Sequence, residues 1–146
     1  MAIRYAHTEV NCKDLKKMTA FYEKVFGLKF IPPVDDEAKG EWFQKMTGLE
    51  DAHIYTRHML SEDGTELEFF QWEFPAEEQE EILIHRPGLG HLAFHVDDME
   101  GTAAAVVEAG GSMYGEIVEI PLPDATLALC YVRDPEGNCI ELMKRS

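Results

Sequence analysis

Two histidines and two glutamates recur in matched surroundings. Laying "HTEVNCKDLKKMTAFYEKVFGLKF", which begins at His7, over "HLAFHVDDMEGTAAAVVEAGGSMY", which begins at His91, pairs the histidines without a gap. It also pairs Asp14 with Asp98, Leu15 with Met99 and Gly27 with Gly111. Laying "SEDGTELEFF" from Ser61 over "DPEGNCIELM" from Asp134 pairs Gly64 with Gly137 and, four residues on, Glu68 with Glu141. Imidazole nitrogen and carboxylate oxygen are donors that first-row divalent ions accept, and two carboxylates balance the charge of such an ion. His7, Glu68, His91 and Glu141 therefore form a candidate ligand set for Zn²⁺, Ni²⁺, Co²⁺, Mn²⁺ or Fe²⁺, one pair from each half. No local signature such as HExxH fixes their geometry, so the repetition is what singles them out. Glu66 lies two residues before Glu68 on the same strand face and competes for that position, although the glycine register favours Glu68. His53, His58 and His85 have no counterpart in the other half and are expected to be surface or local hydrogen-bonding groups.

The element that must position each pair is the same in both halves. A strand begins at the histidine, an aspartate suited to capping starts a helix of about three turns, and a glycine ends it. In the first helix Leu15, Met18, Phe21, Tyr22 and Val25 form an apolar stripe, with Lys16, Lys17, Glu23 and Lys24 facing water. The second helix, expected over 98–109, is alanine-rich and small-sided. Runs at 28–31, 53–60 and 66–72 read as strands in the first half, and runs at 112–120, 126–133 and 138–144 in the second. Each half is thus a βαβββ module in an α+β fold, and two such modules would set two curved sheets against each other.

The histidines are offset by 84 residues (91 − 7) and the glutamates by 73 (141 − 68), so the first half is 11 residues longer between its markers (84 − 73). The surplus is expected in 32–52, "PPVDDEAKGEWFQKMTGLEDA", around a short helix at 40–46. The segment "PAEEQEEILIHRPG" reads as a connection, which gives one domain over 1–146 made of modules 1–75 and 89–146 and a linker at 76–88.

Strand alternation sorts the neighbours of the four markers. Glu141, between Ile140 and Leu142, occupies the opposite face from both. Glu9 shares a face with His7, and His95 shares one with His91, so either could support a ligand or take part in the chemistry. Phe70, Trp72 and Trp42 are candidate pocket-lining aromatics; His95, Trp72 and Phe70 make up the expected substrate pocket.

Bulk properties limit the partners. The chain has 146 residues, 45% of them hydrophobic, enough for one ordinary domain with a real core. Its 28 acidic and 13 basic residues give a net charge of −15 and a pI near 4.6, a surface that repels nucleic-acid phosphates and anionic lipid. The local runs Asp35-Asp36-Glu37 and Glu77, Glu78, Glu80, Glu81 read as solvated loop or helix surface. Three cysteines without CxxC spacing, each in an apolar stretch, imply buried free thiols and a reducing compartment. With no apolar run of membrane-spanning length and no secretory h-region, a cytoplasmic protein is expected.

The same segments, with "GTELEFFQ", "GLGHLAFHVDD" and "DPEGNCIEL", resemble the vicinal oxygen chelate superfamily of glyoxalases, bleomycin resistance proteins and extradiol dioxygenases, over nearly the whole chain. The resemblance implies paired βαβββ modules cupped around a divalent metal, ligation by His7, Glu68, His91 and Glu141, and a ligand set similar to that of bacterial glyoxalase I. It implies a small-molecule substrate, and a homodimer or a pairing of modules within one chain. The chemistry implied is that of a metal-dependent lyase or isomerase: Lewis-acid chelation of two adjacent substrate oxygens stabilises an enediolate, and Glu141 or Glu68 serves as the base.

Two alternatives accompany the resemblance. One is an extradiol-type dioxygenase using His7, His91 and Glu141 on Fe²⁺; the other is a non-catalytic small-molecule binder of the bleomycin-resistance kind. The glutathione-using glyoxalases carry arginine and asparagine four residues after the first and second ligands, where this chain has Asn11 and Trp72. Their arginine before the third ligand falls at Pro87, beside Arg86. Anchors for glutathione or a CoA ester are therefore missing from the expected places.

Overall fold

A computed structural model of the chain describes residues 3–78 and 80–146. The chain divides into two compact units, 1–79 and 80–146. Among the described residues no helix is long and apolar enough to cross a membrane.

The first unit runs β1 (His7–Asn11), α1 (Leu15–Phe26), β2 (Lys29–Phe30), β3 (Asp36–Lys39), α2 (Glu41–Thr47), β4 (His53–Leu60) and β5 (Glu66–Phe74). Its sheet has the order β1-β5-β4-β2, with β3 also on β4. β1 is parallel to β5 and the other pairs are antiparallel. The Asp14 carboxylate accepts from the Lys17 N–H at 3.0 Å to start α1, and Gly27 ends it in the left-handed region at φ 67°. Leu15, Met18, Phe21 and Tyr22 of the expected stripe are buried, joined by Thr19, while Val25 is only half-buried. The Thr19 hydroxyl donates to the Leu15 carbonyl at 2.7 Å and accepts from Arg57 at 2.9 Å. Tyr22 of α1 packs on Phe69 of β5 with ring centroids 4.9 Å apart. Met18, Tyr22, Met59 and Phe69 are fully enclosed, and each such side chain contributes about 1.5–3 kcal/mol. One face of the sheet is therefore committed to α1, and alternation turns Glu66, Glu68 and Phe70 to the other.

The second unit runs β6 (Leu92–His95), α3 (Met99–Glu108), β7 (Ser112–Met113), β8 (Val118–Pro121), β9 (Thr126–Arg133) and β10 (Cys139–Arg145). Its sheet order is β6-β10-β9-β7, with β8 also on β9. β6 is parallel to β10, so the pattern of the first unit is reproduced. Asp98 caps α3 through the Gly101 N–H at 3.0 Å. Met99, Ala103 and Val106 are buried, as are Cys130, Val132, Ile140 and Leu142. The Cys130 thiol lies 3.6 Å from the Met99 sulfur.

Several expectations change. The run at 112–120 is two strands, β7 and β8, which share the edge of β9 end to end as β2 and β3 share that of β4. Asp36 and Glu37 lie in β3, not in a loop or helix surface, where Glu37 pairs with Lys39 and His53. Because β3 corresponds to β8, the extra length of the first half falls in α2 and its flanks. Gly111 does not end α3: Ala109 caps it and Gly110 takes the positive φ of 95°. Gly111 serves close packing, since a Cβ there would collide with the Arg133 carbonyl. Cys12, Cys130 and Cys139 are buried and not joined in disulfides, as expected.

Candidate functional site

The open face of the first sheet gathers polar groups around one carboxylate. β5 lies between β1 and β4, and the register sets Glu9 beside Glu68 on one side and His58 opposite it on the other. Glu68, only 9% exposed, meets a histidine at each oxygen: His7 Nε2 is 3.2 Å from Oε2, and His58 Nδ1 is 3.1 Å from Oε1. His58 Nδ1 also lies 3.0 Å from Glu66 Oε1. Burying a carboxylate is costly unless it is paired, and imidazoles fill that role here. The Glu9 carboxyl is pushed above the usual carboxylate range by desolvation first and the Glu68 charge second, against the opposing pull of His7 and Asn11.

The second unit repeats the pair. His91 Nε2 lies 3.4 Å from Glu141 Oε2, and the β9–β10 register sets Tyr131 directly across from Glu141. The edges and faces of the His91 and Tyr131 rings meet at a centroid distance of 5.2 Å. Burial, then the Glu141 charge, holds the Tyr131 phenol above its ordinary range. Ile140 and Leu142 are enclosed on the α3 side, while Glu141 is turned the other way.

Each expected ligand thus meets its partner within its own unit: His7 with Glu68, and His91 with Glu141. Glu66 is drawn in through His58. Phe70 and Trp72 pack against the buried cluster of Phe43, Ala52 and Ile54, under α2. Phe43 stacks on Trp72 at 6.0 Å, and the indole N–H donates to Asn11 Oδ1 at 2.7 Å. Trp42 is 60% exposed. His95, exposed at the end of β6, is in register with Met143 of β10, on the Glu141 face.

His58 makes a local hydrogen bond to Glu66, as expected, but its contact with Glu68 was not anticipated, and neither was Tyr131 opposite Glu141. A signal for both exists in the sequence. Gly64 and Gly137 mark hairpin turns, and counting back across each hairpin brings His58 opposite Glu68 and Tyr131 opposite Glu141.

The donor set fits a divalent metal. Nitrogen-to-oxygen separations of 3.0–3.4 Å are those of neighbouring ligands on an ion with bonds of about 2.0–2.2 Å. His58, Glu66 and Glu68 also offer ligand atoms that all lie within 4.8 Å of one another.

Known proteins share this plan. The sequence pattern of the Glyoxalase/Bleomycin resistance protein/Dioxygenase superfamily matches residues 4–142. The chain is 26% identical over 139 residues to a lactoylglutathione lyase of Haemophilus influenzae, covering 94% of this chain and 90% of that one. It is 31% identical over 108 residues to a probable trivalent organoarsenical cleaving enzyme of Bacillus subtilis, covering 73% and 68%. A glyoxalase family protein of Bacillus cereus superposes with a TM-score of 0.87 at 22% identity, over 99% of this chain and 95% of that one, a likeness of fold. With that pattern spanning both βαβββ modules, the chain belongs to the Glyoxalase/Bleomycin resistance protein/Dioxygenase superfamily.

Proposed function

We propose that the protein is a metal-dependent lyase or isomerase of glyoxalase type, acting on a small carbonyl or hydroxy-carbonyl compound, with His7, Glu68, His91 and Glu141 holding one divalent ion. The observation that carries this is the duplicated pair: each module presents an imidazole nitrogen to a carboxylate oxygen, at 3.2 Å and 3.4 Å, from equivalent strands. A bound divalent cation supplies Lewis acidity toward two adjacent substrate oxygens.

The protein's own groups handle the proton. Glu141 takes it from the substrate carbon and returns it to the neighbouring carbon, as a general base and then acid. Tyr131, directly across from Glu141 on β9, borders the carboxylate during the two transfers. His95, on the Glu141 face of its sheet, and Phe70 and Trp72, on the Glu68 face of theirs, would be the residues that contact the substrate.

The substrate class is narrowed by Asn11 and Trp72. They occupy the places of the glutathione-anchoring arginine and asparagine of similar enzymes, and here they bond to each other at 2.7 Å. Neither side chain carries a charge to hold a glutathione carboxylate, which favours a smaller substrate.

The test is hydrogen exchange. Reconstituted protein is incubated in D₂O with a panel of small dicarbonyl and α-hydroxycarbonyl compounds, and deuterium at the reacting carbon is followed by NMR. Incorporation that drops at least about a hundredfold in Glu141→Gln is expected, in line with the usual worth of a general base. Binding without exchange, or O₂ uptake with a catechol in its place, would overturn the proposal.

A further inference from the structure

We propose that the first unit carries a second divalent-cation site, formed by His58 Nδ1, Glu66 and the Oε1 oxygen of Glu68. It goes beyond the four-residue centre and needs only residues of 1–79, so it stands or falls separately.

The geometry is already close to that of a coordination shell. His58 Nδ1 is 3.0 Å from Glu66 Oε1 and 3.1 Å from Glu68 Oε1, which matches adjacent ligands around bonds of about 2.0–2.2 Å. Glu68 directs its two oxygens to different histidines, Oε2 to His7 and Oε1 to His58. A carboxylate divided in this way can bridge two ions, as in sites where metals lie about 3.5–4 Å apart. With one nitrogen and two carboxylate oxygens, the site suits Zn²⁺, Mn²⁺ or Co²⁺ better than Mg²⁺, which prefers all-oxygen shells.

Charge and exposure point the same way. Glu9, Glu66 and Glu68 share one face, and the close contacts of Glu66 and Glu68 run to histidine nitrogens among the described residues. A cation would relieve that concentration of negative charge. The side chains of His58 and Glu66 are 31% and 30% exposed, which leaves an entry path. Thr56, next on the same face of β4 and 6% exposed, has a hydroxyl without a hydrogen-bond partner, a spare oxygen beside the cluster.

Folding does not demand these residues. The offset that carries Glu68 onto Glu141 carries His58 onto Tyr131 and Glu66 onto Cys139, and the second unit builds the same sheet with a phenol and a thiol there. The His-Glu-Glu cluster is particular to the first module, as a ligand site would be.

The test is stoichiometry on full-length protein stripped with chelator and titrated with ZnCl₂ and, separately, MnCl₂, read by calorimetry and elemental analysis. Two equivalents are expected for the wild type. His58→Ala and Glu66→Gln should each lose one and keep the other, with circular dichroism unchanged because both side chains are partly exposed. In the Mn²⁺ form a bridging Glu68 should give the spin-coupled EPR signal of a close pair, absent from both variants. A single equivalent that neither variant alters would overturn the proposal. His91→Ala separates it from the four-residue centre: retention of the His58-dependent equivalent is expected, and if His91→Ala removed no metal at all, that centre would fail while this site stood.

Discussion

Replacing Asp134 with alanine should loosen the hairpin that sets Glu141. Asp134 is 3% exposed, and its carboxylate accepts from the Glu136 N–H at 3.0 Å, the Asn138 N–H at 3.0 Å and the Asn138 side-chain amide at 2.7 Å. These bonds close the turn that brings Cys139 opposite Arg133 and Glu141 opposite Tyr131. A hydrogen bond to a charged group is worth about 1.5–3 kcal/mol, but Glu136 and Asn138 are only half-buried, so water can recover part of the loss. Three bonds so discounted give about 2–4 kcal/mol. In a domain of this size that lowers Tm by roughly 5–15 °C. Asp134→Asn keeps an acceptor oxygen and should cost about half as much. Urea unfolding of the metal-free protein, followed by far-UV circular dichroism, measures both. A loss below about 1 kcal/mol for Asp134→Ala, or equal losses for the two variants, would refute the reasoning.

Two further outcomes follow from the site's surroundings. The Glu9 carboxyl is held above its ordinary range in the folded protein, by desolvation first and Glu68 second. Between the unfolded and folded values the native chain binds the extra proton, so its stabilising effect is full at lower pH and lost as pH rises through the folded value. Glu9→Gln should therefore raise the stability of metal-free protein at neutral pH and flatten the slope in that window; a drop at neutral pH would contradict this. Burial pushes the Cys130 and Cys139 thiols up, so a disulfide reagent at mildly alkaline pH should modify them slowly in native protein and rapidly in denaturant. Fast stoichiometric reaction of the native protein would show that these strands are not enclosed.

The parts legible in the sequence are those fixed by local chemistry or by repetition. Asp14 and Asp98 cap helices because their carboxylates reach N–H groups three residues on, a relation visible in the chain. His7 with Glu68 and His91 with Glu141 could be picked out because duplication marks them twice. Position across a sheet was less legible. His58 was set aside because the other half has tyrosine at its counterpart, although the hairpin turn brings it opposite Glu68. β3 was missed because "DEAK" has the composition of a solvated loop and is a strand through its pairing with β4, a partner that lies beyond α2 in the chain. The packing of Phe70 and Trp72 under α2 was not legible, because it depends on where the extra segment folds back.

The proposal that one ion draws ligands from both modules is tested most directly by the metal content of protein purified without chelator or nickel affinity, beside His7→Ala and His91→Ala. Each variant, altered in a different module, should lose the same equivalent of Zn, Ni, Co, Mn or Fe while remaining folded. Full metal retention in His91→Ala, with loss confined to His7→Ala, would show that the ion belongs to the first module alone and would contradict it.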